Sequence, residues 1–170
     1  MIDDLVREFQ APTNEVQHIL YHRVDRFILY PPFWAQLKLG KLSWTKVPFG
    51  RSKITQVPGN QRGIYIFTTL PPKRGQVLCP YLLYVGSVPD SDFRTRFASY
   101  VNERSKSKPR PHISKMIECW GEHLWFCYAP LKGKPRFIKK VEDALIQAFL
   151  PPFNRIWPAS ISSTMRRVFA

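Results

Sequence analysis

Two short apolar segments constrain the fold of this chain more than any other feature. Residues 63–69 (GIYIFTT) and residues 81–87 (YLLYVGS) are rich in aromatic and β-branched side chains, which favour strands. Pro71, Pro72 and Gly75 lie between them and are typical of a loop. The sequence therefore predicts a β-hairpin with a long connection.

Further elements are predicted on both sides of this hairpin. Residues 14–29 place apolar side chains at helical spacing. We expect residues 31–62 to be irregular apart from one short strand or helix. Downstream, the patterns predict helices at about 93–104, 111–120 and 136–150, and a third strand at 123–129. An acidic or hydroxyl side chain at positions 90–92 can cap the first of these helices.

These elements predict an α/β chain of the α+β type, with a small antiparallel three-stranded sheet flanked by helices. A chain of 170 residues is long enough for one domain with a hydrophobic core. We assign residues 1–60 to an N-terminal extension, partly helical and partly irregular, and residues 61–170 to the main domain.

Positive charge lies on both sides of the hairpin. The formal net charge is +14; residues 31–62 contain six basic and no acidic residues, and residues 90–140 contain twelve basic and five acidic ones. Such a balance favours a polyanionic partner. Residues 1–30 are instead mildly acidic, which suits a protein interface, with a second copy of the chain or with another protein.

The composition also bears on the compartment. The three cysteines form no C-x-x-C pair, and no apolar run approaches the length of a membrane span. The acidic start lacks the basic region of a signal peptide. We expect a reducing, cytoplasmic location and no membrane partner.

Several side chains downstream of the first strand suit the hydrolysis of a phosphodiester. A carboxylate such as Glu142 can bind Mg²⁺, which prefers oxygen ligands. Arg96 can hold a phosphate oxygen and stays protonated. The phenols of Tyr65 and Tyr84 can act as bases only if nearby positive charge lowers their pKa. Each residue alone is more often an ordinary surface or core side chain.

The order of these residues resembles the GIY-YIG nuclease family. The matching motifs are Gly63-Ile64-Tyr65, Tyr84-Val85-Gly86-Ser87, Phe93-x-x-Arg96-x-x-x-Tyr100, and Glu142-x-x-Leu145-Ile146 followed by Pro151-Pro152-Phe153-Asn154. The resemblance covers residues 60–157 and includes the three-stranded sheet with flanking helices. It implies hydrolysis of nucleic acid with a single metal ion.

The resemblance also implies a role for each matching residue. Tyr65 matches the general base, Tyr84 the second motif tyrosine, and Arg96 the phosphate-binding arginine. Tyr100 matches a position that holds a tyrosine or histidine. Glu142 matches the metal ligand, and Asn154 matches an amide that braces the site.

This chain departs from the family pattern in two places. The connection between the two tyrosine motifs is several residues longer and contains Lys73 and Arg74, so it is either a substrate contact or only a long loop. The interval before Arg96 is about two residues longer than the family's, which makes Arg94 a competitor for the arginine role. We prefer Arg96, because Phe93 and Tyr100 then keep the family spacing.

The sequence thus predicts an endonuclease dependent on Mg²⁺ or Mn²⁺, acting on DNA in preference to RNA, in restriction, phage defence or repair. The alternative is a non-catalytic nucleic-acid-binding or assembly module on the same fold. Basic residues expected to contact nucleic acid are Lys73, Arg74, Arg94, Arg104, Lys106, Lys108, Arg110 and Lys115.

Overall fold

A computed structural model describes residues 13–22, 31–35, 37–69, 80–159 and 161. The helices are α1 (Thr13–His22), α2 (Pro31–Ala35), α3 (Phe93–Val101), α4 (Pro111–Trp120) and α5 (Pro135–Phe149). The strands are β1 (Thr45–Pro48), β2 (Gly63–Thr69), β3 (Tyr81–Val88) and β4 (Leu124–Pro130). Short 3₁₀ helices span Arg51–Gln56, Glu103–Ser105 and Gly121–His123.

The four strands form one antiparallel sheet in the order β1-β4-β2-β3. The predicted hairpin is confirmed, since β2 and β3 are neighbours and Tyr65 lies opposite Gly86. On its other side β2 pairs with β4, where Tyr65 lies opposite Tyr128. This order leaves β1 and β3 as the edge strands, so β3 has one side free for contacts with other parts of the chain.

The prediction of three strands was wrong by one strand. The additional strand, β1, lies within residues 31–62, where we expected an irregular segment with one short strand or helix and did not assign that element to the sheet. It has four residues, and only Val47 among them is buried, so no alternating pattern marks it. It exists because it pairs with β4, far away in the sequence, and a local pattern carries no information about such pairing.

Both faces of the sheet are covered by apolar side chains. One face carries an aromatic core shared with α3 and α4, which includes Phe67, Phe97, Phe126 and Met116. The opposite face packs against α5 through Ile64, Val85, Val141 and Ile146. The aromatic core lies on the face that carries Tyr65, and the α5 core lies on the face that carries Ile64. The helices flanking the sheet are thus confirmed.

Local signals set the helix ends. Asp92 caps α3 by accepting a hydrogen bond from the Thr95 amide at 2.8 Å. Helices α4 and α5 begin with proline, which lacks the amide hydrogen that a first turn leaves unpaired. Leu150 ends α5 in a left-handed conformation with φ of 43°.

The predicted helix bounds need small corrections. Helix α3 ends at Val101, three residues early, and a 3₁₀ turn follows at Glu103–Ser105. The helix expected at 14–29 is described only as α1, and its remainder at 23–29 lies outside the described residues. Among the helices that the structure describes, none is long and apolar enough to cross a membrane.

Candidate functional site

Strand β3 contacts most of the candidate residues. Successive residues of a strand point to opposite faces of the sheet. Tyr84 and Gly86 therefore face the aromatic core, whereas Val85 and Ser87 face α5. Candidates that are far apart in the sequence meet at these four consecutive positions.

Three tyrosines form a cluster on the aromatic face. The hydroxyl oxygens of Tyr65 and Tyr100 are hydrogen-bonded at 2.9 Å. The Tyr84 ring lies 6.3 Å from the Tyr65 ring, nearly parallel to it, and 6.1 Å from the Tyr100 ring. A side chain at Gly86 would overlap the Tyr65 ring. Glycine at this position therefore leaves room for the Tyr65 ring of β2 to pack against the backbone of β3.

The protonation of the cluster follows from its burial. Burial raises the pKa of Tyr65 well above its ordinary value, and the neighbouring Tyr100 and Tyr84 raise it further, whereas the charge of Arg96 acts in the opposite direction. Tyr65 therefore stays protonated in this environment and acts as a hydrogen-bonding group. Tyr84 is only half-buried, whereas Tyr65 and Tyr100 are buried, so Tyr84 is the most accessible of the three tyrosines to a ligand.

The structure separates the two competing arginines. The Arg94 Nε donates a hydrogen bond of 2.8 Å to the Val57 carbonyl. Its guanidinium also packs on Gly59, where a β-carbon would lie 3.2 Å from Nη1. Arg94 is thus tied to the loop before β2. Arg96 is partly buried near Tyr65, and among the described residues its guanidinium forms no hydrogen bond or ion pair.

Glu142 approaches β3 from the other face of the sheet. Its Oε2 accepts a hydrogen bond of 2.5 Å from Ser87 Oγ and one of 2.8 Å from Lys139 Nζ. The side chain of Glu142 is 11% exposed and that of Lys139 is 55% exposed. Within the described part of the chain, no hydrogen bond joins Glu142 to the tyrosine cluster. The carboxylate and the tyrosines therefore lie on opposite faces of one edge strand.

The ligand atoms available around Glu142 determine which cation can bind there. Across the described residues no group of three or more His, Cys, Asp or Glu side chains comes together. Glu142 Oε1 takes no hydrogen bond within that same part of the chain, so one carboxylate oxygen is left for a ligand. This fits Mg²⁺ held by one carboxylate, several waters and a substrate phosphate. Lys139 is a cation already in place on the other oxygen.

Asn154 covers the free edge of β3. Its Oδ1 accepts from the Val85 amide at 2.9 Å, and its Nδ2 donates to the Val85 carbonyl at 2.8 Å. The Phe153 amide also donates to the Leu83 carbonyl at 3.0 Å. One side chain thus replaces both partners of an absent strand, and the contacts of Asn154 are those of a bracing residue.

A buried carboxylate organises the segment after α3. Glu103 is 0% exposed. Its Oε1 accepts from Arg110 Nε at 3.0 Å, and its Oε2 accepts from Arg110 Nη2 at 2.7 Å and from Lys106 Nζ at 2.5 Å. The Arg110 guanidinium carbon lies 4.8 Å from the centre of the Tyr100 ring. Lys106 and Arg110, both expected to contact nucleic acid, are thus held by one acid, and Arg110 also reaches the tyrosine cluster.

The other basic candidates differ in their surroundings. Arg104 and Lys108 are exposed. Lys115 Nζ lies 5.3 Å from the centre of the Tyr21 ring. Lys73 and Arg74 lie outside the described residues.

Three residues of this region were not predicted as part of the site. Lys139 and Glu103 each form a pair at i,i+3 spacing, which is readable in the sequence of a helix, although nothing local indicates that Glu103 is buried. Ser87 stands in the second tyrosine motif, but its bond to Glu142 depends on how α5 packs against β3.

Comparison with known proteins adds no assignment to this geometry. No family model matches the chain, and neither the curated proteins nor the solved structures contain a match.

Proposed function

We propose that this chain is a metal-dependent endonuclease that hydrolyses phosphodiester bonds, with DNA preferred over RNA. The observation that supports it is the convergence on β3. Tyr84 contacts Tyr65 and Tyr100, and Ser87 contacts Glu142. Positions 84 and 87 are about 10 Å apart along an extended strand. A phosphodiester lying across this edge can reach both groups.

The residues divide the chemistry as follows. Arg96, whose guanidinium has no hydrogen-bonding partner among the described residues, binds a non-bridging phosphate oxygen. Glu142 holds the metal, and bound Mg²⁺ or Mn²⁺ supplies charge neutralisation at the phosphate and a more acidic water. We assign the polar contact with water or substrate to Tyr84 and a positioning role to Tyr65. This departs from the base role that the resemblance implies for Tyr65, because Tyr65 is buried and its pKa is raised.

Two observations favour the alternative, a non-catalytic nucleic-acid-binding module. The Lys139 ammonium already pairs with Glu142, and the Tyr65 hydroxyl is wholly buried against Tyr100. A binding module keeps the basic surface and needs neither a free carboxylate nor an accessible phenol.

Nicking of supercoiled plasmid separates the two functions. We expect nicking that requires Mg²⁺ or Mn²⁺ and stops with EDTA. Glu142→Gln removes the metal-binding charge and is expected to slow nicking at least about 100-fold, which corresponds to about 3 kcal/mol, while DNA binding persists. The matched control is Asp143→Asn, an acid next in the chain that also pairs with Lys139, and it should nick within a few-fold of wild type. Tight DNA binding without metal-dependent nicking by the wild type would support the alternative.

The biological setting is tested by substrate choice. Preferential cleavage of flaps or branches over linear duplex would assign the chain to repair, and cleavage of linear duplex at a defined sequence would assign it to restriction or phage defence.

A further inference from the structure

A buried acid fixes one guanidinium beside the tyrosine cluster. Besides the side-chain bonds described above, Glu103 Oε1 accepts from the Arg110 backbone amide at 2.8 Å. Burial by itself raises the pKa of Glu103, but its bonds from Arg110 and Lys106 outweigh this and lower it to about 2. Glu103 is therefore an anion at neutral pH, and a bidentate arginine–carboxylate fork of this kind holds the guanidinium in one orientation.

The held guanidinium reaches solvent next to the candidate site. The fork uses Nε and Nη2, so Nη1 lies outside it. The Arg110 side chain is 34% exposed, and its guanidinium lies over Tyr100, which is bonded to Tyr65. Arg110 thus presents a fixed positive group at the border of the tyrosine cluster.

Two further basic side chains, His112 and Arg155, lie near Arg110. His112 is partly buried in the first turn of α4. Burial lowers its pKa, and the positive charges of Arg155 and Arg110 lower it further, against the opposing charge of Glu103. Arg155 is exposed, follows the bracing Asn154, and has no hydrogen bond or ion pair within the described residues. Three basic groups from two segments therefore border the same tyrosine cluster. Arg110 lies over Tyr100 with His112 two residues further on, and Arg155 follows Asn154, which is bonded to β3 at Val85, next to Tyr84. The acid near them, Glu103, is already paired.

We propose that Arg110, His112 and Arg155 form a phosphate subsite that binds a backbone phosphate of the nucleic acid beside the tyrosine cluster. This rests on nucleic acid being the substrate, as proposed above. Arginine matches the geometry of phosphate oxygens and remains charged. Like charges held together repel one another, so a phosphate among them relieves that repulsion and allows His112 to bind a proton.

The first test follows the His112 ring by NMR during a pH titration. The chain has four histidines, and a His112→Gln variant identifies the signal. Replacing chloride with inorganic phosphate at constant ionic strength is expected to raise the His112 pKa by about one unit, and a short DNA duplex should do the same. Arg155→Gln should raise the starting pKa and reduce the response to phosphate.

The second test measures duplex binding in EDTA, where no cleavage occurs. Arg155→Gln is expected to weaken binding about tenfold and to reduce the salt slope by about one. The matched control is Arg136→Gln, an exposed arginine on α5, which packs on the opposite face of the sheet. It should weaken binding less than twofold. Arg155 is used because removing Arg110 leaves Glu103 buried with one partner fewer and endangers folding.

The outcomes separate this subsite from the proposed activity. A His112 shift with DNA and a selective loss in Arg155→Gln support the subsite, even if the wild type never cleaves. A shift with inorganic phosphate but not with DNA assigns the site to a free phosphate and overturns the nucleic-acid assignment. No shift with either ligand, or equal losses in Arg155→Gln and Arg136→Gln, overturns the subsite while leaving metal-dependent cleavage intact.

Discussion

At the scale of single residues, chemically similar side chains of this site differ in their surroundings. Tyr65 is buried and bonded to Tyr100, while Tyr84 is half-buried. The Arg94 side chain is bonded to a backbone carbonyl, while the Arg96 side chain has no such bond among the described residues. A functional group that is already paired inside the protein contributes to stability, and one that is unpaired at the surface can contribute to binding or catalysis.

The tyrosines should therefore differ in their effect on turnover. We expect Tyr84→Phe to lower kcat for plasmid nicking about 100-fold, within the range for loss of a proton-transfer group. Tyr65→Phe should lower kcat less than tenfold and lower the free energy of unfolding by about 1 kcal/mol, because Tyr100 loses its buried partner. Single-turnover rates and urea unfolding measure the two effects. A larger kcat loss in Tyr65→Phe would return the base role to Tyr65.

The two arginines should also differ, with Arg94 affecting the stability of the fold and Arg96 affecting turnover. Arg94→Ala removes the bond to Val57 and is expected to cost about 1–2 kcal/mol of unfolding free energy, with turnover nearly unchanged once the variant is folded. Arg96→Ala should leave the unfolding free energy within about 0.5 kcal/mol and lower turnover at least about 100-fold. Chemical denaturation and nicking rates on the same preparations check this. An inactive Arg94→Ala beside an active Arg96→Ala would shift the arginine assignment by two positions.

At the scale of elements, strand β3 links both faces of the sheet and its free edge. Its residues alternate between the tyrosine cluster and α5, and Asn154 pairs with its outer side. An edge strand without a partner strand exposes unpaired backbone groups, and here the Asn154 amide pairs with both backbone groups of Val85. Small changes in β3 should therefore disturb several parts of the site together.

Gly86→Ala tests this dependence. The added methyl group overlaps the Tyr65 ring, and we expect a loss of about 2 kcal/mol in unfolding free energy, as for other overpacked core positions, together with weaker nicking. The matched control is Gly121→Ala. Its added β-carbon meets its nearest neighbour at 4.0 Å in a right-handed helical conformation, so the variant should be neutral or slightly more stable. Equal stability of the two variants in thermal unfolding would show that the ring can move aside.

At the scale of the whole molecule, a basic chain buries the acid Glu103 completely among cations. The net charge of +14 favours a polyanionic partner but repels itself in the compact state. The cluster of Glu103, Lys106 and Arg110 neutralises part of that charge next to the tyrosines. Acid sensitivity of the fold should therefore centre on Glu103.

The pH dependence of stability tests the role of Glu103. Its pKa is about 2 in the folded protein against an ordinary value of 4.5. A lowered pKa contributes stability that is present above pH 4.5 and is lost as the pH falls from 4.5 towards 2. Glu103→Gln should lower the unfolding free energy by roughly 3 kcal/mol at neutral pH, and the difference from wild type should shrink across this window. The exposed Glu122→Gln is the control and should keep a constant difference; a Glu103→Gln difference that is independent of pH would contradict the assignment.

Local sequence patterns by themselves determined most of the elements. The hairpin, β4, α4 and α5 all appear within about two residues of their predicted places, because apolar periodicity, caps and prolines act between residues a few positions apart. The same patterns placed Tyr65 and Tyr84 on two strands that do meet.

Tertiary structure alone decided the rest. Strand β1 exists only through pairing with β4, and the buried state of Glu103 depends on how the segment after α3 folds back. The sheet also places Glu142 and the tyrosine cluster on opposite faces of β3, with Ser87 and Lys139 as partners of the carboxylate. Strand order, register and helix docking arise from contacts between residues far apart in the chain, and no local pattern encodes them.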